Sequence, residues 1–357
     1  MRIASVERKV VGMRTLLVPL DGSRLAEQAL AYAEVLASRL EAKLLLVRIA
    51  ELDDRREAYL TARDEEAHHA AGEYVGALAE EVSRRGVPAR GVVRCGRAAA
   101  WILEEARLRQ ADLIVMTAHG MGCAGPAACG RVASEVLSRA QVPVLLVPTD
   151  PSRAVALLAQ RQPRILVPLD GSLAAEEALV VAKALADRLD AELWLSTAYP
   201  RQEDVSRRQM ALTRIEALSY LAQLRLHLAL EGYRARMEVR PGPPAEVIGE
   251  VYHHRDAALV VMATHSRIGR DWLPTGSVPS RLIGDGTMPL LLVRPRRFGW
   301  TNYLYLPSSD CRLELDGSGR ALVWAALRAL SQAIPDGEED ARNILRDLER
   351  TLLSSEG

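Results

Sequence analysis

Short apolar runs alternate with stretches of helical periodicity over residues 1–150. Five of these runs have the length of a β-strand: Leu16–Leu20, Leu44–Ile49, "ARGVVR" at 89–94, Leu113–Thr117 and Val144–Val147. The spacing between them predicts four helices: after Ser23, within 56–85, after Gly96 and over Val132–Arg139. Strands that are apolar on both faces and alternate with helices indicate a parallel sheet covered on both sides.

The whole pattern occurs twice. "LLVPLDGSRLAEQALAYAEVL" at 16–36 returns as "ILVPLDGSLAAEEALVVAKAL" at 165–185, and "ADLIVMTAHG" returns as "AALVVMATHS". Matching positions are 149 residues apart at Asp21 and Asp170, and 146 apart from Gly96 and Gly242 onward. This offset predicts a duplicated unit with one copy in 1–150, a second in 151–296 and a separate extension over 297–357.

The composition is that of a globular chain without a strong charge. Of 357 residues, 49% are hydrophobic and 26% are charged, and 46 Lys and Arg balance 46 Asp and Glu. We therefore expect neither nucleic acid nor a membrane surface as a partner. No apolar stretch approaches the roughly 18 residues of a membrane helix, and the first residues lack a secretory signal. The four cysteines have no C-x-x-C spacing, which favours reduced thiols of a cytoplasmic protein.

One glycine pattern imitates a dinucleotide-binding loop. Gly120, Gly122 and Gly125 spell G-x-G-x-x-G after the fourth strand. The genuine motif follows the first strand, opens the helix itself and has an acidic residue about 20 positions later. Here Pro126 interrupts the segment, no acidic residue follows at that distance, and the second copy reads "HSRIGRDWLPTGS". We interpret the pattern as a glycine-rich loop and not as a dinucleotide site.

A different resemblance rests on both copies. Each begins with a strand, "P-x-D-G-S" and a helix, and the first carries "H-G-x9-G" before its fourth helix. Residues 14–150 and 163–296 each resemble a complete domain of the universal stress protein family. The resemblance implies two doubly wound five-stranded α/β sheets of the adenine-nucleotide α-hydrolase type, with strand order 3-2-1-4-5. It also implies that the copies pair within the chain through their fifth strands, with a homodimer as a further arrangement.

The resemblance implies that ATP binds between the ends of the first two strands and a G-x2-G-x9-G-[S/T] loop. In the first copy Gly120 and Gly130 match this loop, whereas Thr117 stands at the leading glycine and Arg131 at the hydroxyl. Such loops bind phosphate through backbone N–H groups and a helix start, and glycine reaches the positive φ that they use. The β-branched Thr117 is expected to resist that conformation at a cost of about 1 kcal/mol.

The second copy departs from the loop at other positions. Ala263 and Ser266 replace the first two glycines, while Gly276 and Ser277 fit. The resemblance thus places these positions at an adenine nucleotide: Pro19, Asp21, Ile49, Thr117, His119, Gly120, Gly130 and Arg131 in the first copy, and Pro168, Asp170, Ala198, Ala263, His265, Ser266, Gly276, Ser277 and Val278 in the second.

Several of these residues also have simpler interpretations. Asp21 and Asp170 either contact a nucleoside or form Asx turns before a helix, and the two roles are compatible. His119 and His265 have no visible nucleophile or acid partner, which favours hydrogen-bonded strand ends over catalysis. The doublets His68–His69 and His253–His254 do not match between the copies, and adjacent residues point apart on a helix, so we expect no metal site.

Beyond Arg296 the repeat ends. Apolar residues recur at helical spacing over 322–334 and 344–352, which predicts a small, mainly helical extension of unknown role. No Walker A lysine loop and no acid–base pair is present, so we expect no enzyme, with weak ATP hydrolysis left open. Two hypotheses remain: a cytoplasmic, ATP-binding stress-response regulator, and a nucleotide-free protein-interaction module with degenerate phosphate loops.

Overall fold

The computed structural model describes residues 13–50, 62–118, 130–201, 203, 205–264 and 278–294. The predicted extension over 297–357 lies outside these residues. Within these ranges the first copy contains five strands and four helices: β1 (Thr15–Leu20), α1 (Arg24–Leu40), β2 (Lys43–Ala50), α2 (Ala62–Arg84), β3 (Ala89–Cys95), α3 (Ala98–Leu108), β4 (Leu113–Thr117), α4 (Arg131–Arg139) and β5 (Val144–Val147). These strands begin and end within one residue of the predicted positions.

A short helix that the sequence pattern does not predict, α5 (Ser152–Leu158), connects the copies. The second copy then repeats the succession of the first: β6 (Arg164–Pro168), α6 (Leu173–Leu189), β7 (Glu192–Tyr199), α7 (Arg207–Leu230), β8 (Ala235–Pro241), α8 (Pro244–His254), β9 (Ala257–Ala263), α9 (Val278–Asp285) and β10 (Leu290–Val293).

The strands form one sheet, in the order β3-β2-β1-β4-β5-β10-β9-β6-β7-β8. Within each copy the strands are parallel and follow the predicted order 3-2-1-4-5. The copies meet where β5 and β10 pair antiparallel, with Leu145 opposite Leu291. Pairing through the fifth strands is therefore confirmed. This pairing joins the two predicted five-stranded sheets into one, because each fifth strand satisfies the edge hydrogen bonds of the other.

Each face of this sheet carries one apolar core that runs through both copies. On one face α1, α2, α5, α6 and α7 pack, and on the other α3, α4, α8 and α9. The strands are buried on both sides, as their continuous apolar runs predict.

Side chains also join the copies. The buried Tyr32 hydroxyl of α1 donates to the Ala258 carbonyl of β9 at 3.0 Å. At the C-terminal ends of α1 and α6, Arg39 Nη2 donates to Leu189 O at 2.6 Å, and Arg188 donates to Leu40 O. Arg39 and Arg188 are matching residues of the two copies, so these hydrogen bonds form a reciprocal pair.

Candidate functional site

The topology leaves a crevice at the same place in each copy. β1 and β4 are neighbours in the sheet, yet α1 and α4 pack on opposite faces. The chain therefore leaves the two strand ends in opposite directions, which opens a cleft at the carboxyl edge. β6 and β9, with α6 and α9, repeat the arrangement.

The turn after β1 forms one wall of the first crevice. Asp21 Oδ1 accepts hydrogen bonds from Ser23 N at 2.9 Å and from Ser23 Oγ at 2.5 Å. Ser23 Oγ in turn accepts from Ala26 N at 3.1 Å and so caps α1. Gly22 lies between them with φ +80°, a conformation that favours glycine. The predicted Asx turn is confirmed.

The second copy reproduces this turn closely. Asp170 Oδ1 accepts from Ser172 N at 2.9 Å and from Ser172 Oγ at 2.6 Å. Ser172 Oγ caps α6 through Ala175 N at 3.1 Å, and Gly171 has φ +82°. The backbone at this wall of the crevice is therefore equivalent in the two copies.

The fourth strand ends at the matching position in both copies. Thr117 is the last residue of β4 and pairs with Val147, and Ala263 is the last residue of β9 and pairs with Val293. Neither is among the described residues with positive φ. Thr117 is thus the last strand residue, as predicted, and the conformation that it was expected to resist is not imposed on it.

The start of α4 forms the opposite wall of the first crevice. Gly130 N donates to Ala118 O at 2.8 Å, which holds the start of α4 next to the end of β4. Gly130 is the N-cap residue of α4, with φ −58° and no side-chain cap hydrogen bond, and Arg131 follows with its side chain exposed. Whereas serines cap α1 and α6, no side chain of the described residues caps the start of α4, which leaves backbone N–H groups of its first turn for a ligand.

The remaining predicted positions divide into two groups. Pro19 and Ile49 of the first copy, and Pro168 and Ala198 of the second, lie near the strand ends on the face that carries α3, α4, α8 and α9. Val278 is the first residue of α9. His119, Gly120, His265, Ser266, Gly276 and Ser277 lie outside the described residues.

The structure adds two residues that the sequence analysis missed. Arg48 of β2 reaches the turn of the first copy, where its Nη1 donates to Leu20 O at 3.4 Å. In the second copy Thr197 Oγ1 donates to Leu169 O at 3.0 Å. The 149-residue offset pairs Arg48 with Thr197, so comparing the two copies position by position would have singled them out.

A tyrosine–glutamate pair lies beside each turn. Tyr74 donates to Glu27 Oε1 at 2.7 Å, and its counterpart Tyr220 donates to Glu176 Oε1 at 3.0 Å. Burial and the hydrogen bond to Glu27 raise the pKa of Tyr74. Burial also raises the pKa of Glu176, and the hydrogen bond from Tyr220 opposes it. Burial and the charge of Glu176 raise the pKa of Tyr220. Both tyrosines are therefore neutral donors, which brace the second helix of each copy against the first.

The histidine doublets do not converge on a common ligand. His68 Nδ1 lies 3.2 Å from Cys95 Sγ, whereas His69 Nε2 lies 3.4 Å from Glu73 Oε1. Among the described residues, no three His, Cys, Asp or Glu side chains form a group that could hold a metal ion. No helix in the described ranges is long and apolar enough to cross a membrane.

Fold and crevice define a class of protein: a tandem of doubly wound α/β units with a ligand crevice at each switch in strand order. The model of the universal stress protein family matches residues 12–148 and 163–294. A universal stress protein of Mycolicibacterium smegmatis is 24% identical over 302 residues, which cover 79% of this chain and 97% of the relative. The chain belongs to the universal stress protein family, as a member with two copies of its domain.

Two further proteins are similar to a single copy and to the tandem, respectively. A universal stress protein of Thermus aquaticus is 34% identical over 141 residues, or 38% of this chain and 98% of the relative. The crystal structure of a universal stress protein from Archaeoglobus fulgidus has a TM-score of 0.64 at 18% identity, and the match covers 80% of this chain and 99% of that one. The fold of this chain is therefore shared with a solved structure over nearly the whole length of that structure.

Proposed function

We propose that this tandem universal stress protein binds an adenine nucleotide, ATP, at a crevice between β1 and β4 or their counterparts. It acts in this proposal as a cytoplasmic stress-response regulator with little or no turnover. The observation that carries the proposal is the start of α4. No side chain of the described residues caps its N-cap residue Gly130, and the strand order puts this helix start at the same edge of the sheet as the Asp21 turn.

The chemistry of the two walls fits a nucleotide. Uncapped N–H groups and the positive end of a helix favour a phosphate group. The opposite wall offers carboxylates, Asp21 or Asp170, which can accept hydrogen bonds from a ribose or an adenine amino group. Apolar side chains at the strand ends, such as Ile49 or Ala198, supply a surface for the base.

Side chains that the structure describes along the crevices support the proposal of little or no turnover. Along the described walls of the crevices, the tyrosines are held by Glu27 and Glu176 and the serines by Asp21 and Asp170. Neither pair joins a nucleophile to a free general base. Free thiol chemistry at Cys95, on β3, is compatible with a reducing cytoplasm.

Calorimetry with ATP tests the proposal. Purified protein is denatured to release any adenine nucleotide, and fresh protein is titrated with ATP. An aspartate is then placed at the start of the fourth helix of each copy, as Gly130→Asp and Ser277→Asp. We expect at least one variant to abolish binding, because the new carboxylate repels phosphate.

The control for added charge is Gln160→Asp, an exposed position before β6 at the other end of the sheet. This variant should bind as the wild type does. No nucleotide release and no binding at millimolar ATP would contradict the proposal and favour the nucleotide-free interaction module. Phosphate release at a useful rate would instead contradict the absence of turnover.

A further inference from the structure

One pair of helices carries exposed apolar side chains. Among the described residues five large apolar side chains are exposed, and four of them lie on α6 and α7 of the second copy. These four are Leu173, Val180, Leu212 and Leu230, which are between 46% and 77% exposed. Single exposed leucines are common on protein surfaces, whereas several on neighbouring elements indicate an interaction surface. We call these four side chains the α6–α7 face.

The spacing of the four residues puts each pair on one side of its helix. Leu173 and Val180 are two turns apart on α6, and Leu212 and Leu230 are eighteen residues, or five turns, apart on α7. α6 and α7 pack on the same face of the sheet, and side-chain hydrogen bonds join them. The four side chains therefore belong to one surface of the second copy.

The first copy has no such surface. Matching residues are 149 positions apart between α1 and α6, and 146 apart between α2 and α7, as Tyr74 and Tyr220 show. At the matching positions the first copy has three charged residues and an alanine, all exposed: Arg24, Ala31, Glu66 and Arg84. The same fold thus accepts charge here, so neither the sheet nor its cores require the apolar residues of the second copy.

The chain leaves the described fold beside this surface. β10 is parallel to β9, and β9 is parallel to β6, so the carboxyl ends of these strands lie at one edge of the sheet. α6 and α7 begin at that edge, because each follows a strand of the same direction. Val293, the last residue of β10, lies in the core on the face that carries α6 and α7. Residues after Arg294 therefore start at the edge where the α6–α7 face begins.

A long segment with apolar stripes follows the second copy. Residues 297–357 lie outside the described residues, and their sequence predicts apolar helical stripes over 322–334 and 344–352. Arg328 is the only charged residue in 322–334, and a helix of this composition needs cover over most of its surface. Residues 295–321 can span roughly 90 Å when extended, whereas α7 is about 36 Å long, so the stripes can reach any part of the α6–α7 face.

We propose that the extension over 297–357 docks its apolar stripes on the α6–α7 face. Surface and segment occur together, since the first copy has charged residues on its matching helices and is followed only by the short connection through α5. A tethered segment acts at an effective concentration of about millimolar, which favours it over a separate protein or a second chain. The extension then serves as the outer layer of the second copy.

Hydrogen exchange of the full chain, measured by mass spectrometry, tests this docking. We expect the backbone amides of 322–334 to exchange at least tenfold more slowly than in an unfolded chain. The double variant Leu212→Glu/Leu230→Arg gives the α6–α7 face the residues of the first copy. It should accelerate exchange in 322–334 at least fivefold, because the apolar contacts are lost.

The matched control is Leu108→Arg, which changes a similarly exposed leucine of α3 on the opposite face of the sheet. This variant should leave exchange in 322–334 as it is in the wild type. The amides of β6 and β10 show whether the fold persists, and they should exchange slowly in the wild type and in both variants.

Two exchange results would overturn the proposal: amides of 322–334 that exchange at the unfolded rate in the wild type, or protection that the double variant leaves unchanged. Sedimentation velocity distinguishes the extension from a second chain as the occupant. We expect the double variant to leave the oligomeric state unchanged. A dimer that this variant dissociates would assign the α6–α7 face to a second copy of the chain and would overturn the proposal as well.

Discussion

At the scale of single residues, one buried hydroxyl lacks a partner. Ser196 of β7 is 2% exposed, and its Oγ has no hydrogen-bond partner among the residues that the structure describes. The matching residue of the first copy is Val47, which is fully buried on the same face of the sheet. The fold therefore accepts a valine at this position, whereas the serine pays for desolvation without a hydrogen bond.

We predict that Ser196→Val stabilises the protein by about 1 kcal/mol, because it removes an unsatisfied buried hydroxyl and adds apolar contacts. Urea unfolding measures the change. The reverse variant in the first copy, Val47→Ser, should destabilise by about 2 kcal/mol. A loss of stability in Ser196→Val would show that the hydroxyl has a partner in the folded chain.

The sequence predicts local roles of single residues better than long-range ones. The Asx turns of Asp21 and Asp170 were predictable because their partners, Ser23 and Ser172, are two residues away. The path of Arg48 was not predictable, since Leu20 and Gly22 lie on another strand and turn.

At the scale of elements, each copy holds one glutamate between two arginines, but the glutamate lies on a different element in each copy. Glu105 of α3 is fully buried and pairs with Arg94 Nη2 at 2.7 Å and Arg109 Nε at 3.3 Å. The matching arginines, Arg240 and Arg255, instead pair with Glu238 of β8, at 2.5 and 2.7 Å. The glutamate therefore lies on a helix in the first copy and on a strand in the second.

In each copy a valine occupies the position at which the other copy has the glutamate. Val92 of β3 matches Glu238, and Val251 of α8 matches Glu105. Burial raises the pKa of Glu238, but hydrogen bonds from Arg255 and Arg240 outweigh it and lower the pKa overall. The Glu238 carboxylate is therefore ionised between its two arginines.

We predict that moving the acid within the first copy preserves the fold. Glu105→Val alone should cost about 2 kcal/mol, because it leaves two partly buried arginines without their carboxylate. The double variant Val92→Glu/Glu105→Val reproduces the arrangement of the second copy and should recover to within about 1 kcal/mol of the wild type. Urea unfolding of the two single variants and the double variant measures the coupling. Additive losses would mean that strand and helix positions are not interchangeable.

Elements themselves were predicted well where apolar runs are continuous. β4 and β5 begin and end as predicted, because strands buried on both faces leave no polar residues inside the run. α5 was missed. It has seven residues, and its place is fixed by Ala154, Leu157 and Leu158 packing on the core rather than by periodicity.

At the scale of the whole molecule, the duplication predicts the halves but not how firmly they join. The β5–β10 seam pairs only three residues on each side. The two cores that continue across it, and the reciprocal arginines, reinforce the junction. Arg39 makes more hydrogen bonds than its counterpart Arg188. It also donates to the carbonyls of Leu158, Gln160 and Arg161, at the end of α5 and just after it.

This asymmetry gives a prediction for the matched pair Arg39→Gln and Arg188→Gln. Arg39 is half-buried and donates to four carbonyls, so its loss should cost about 2 kcal/mol. Arg188 is exposed and contacts only Leu40 O and Glu41 among the described residues, so its loss should cost about 0.5 kcal/mol. Scanning calorimetry should show one transition in the wild type, since both cores span the copies. Equal losses in the two variants, or two wild-type transitions, would mean that the copies unfold independently and that α5 is a passive tether.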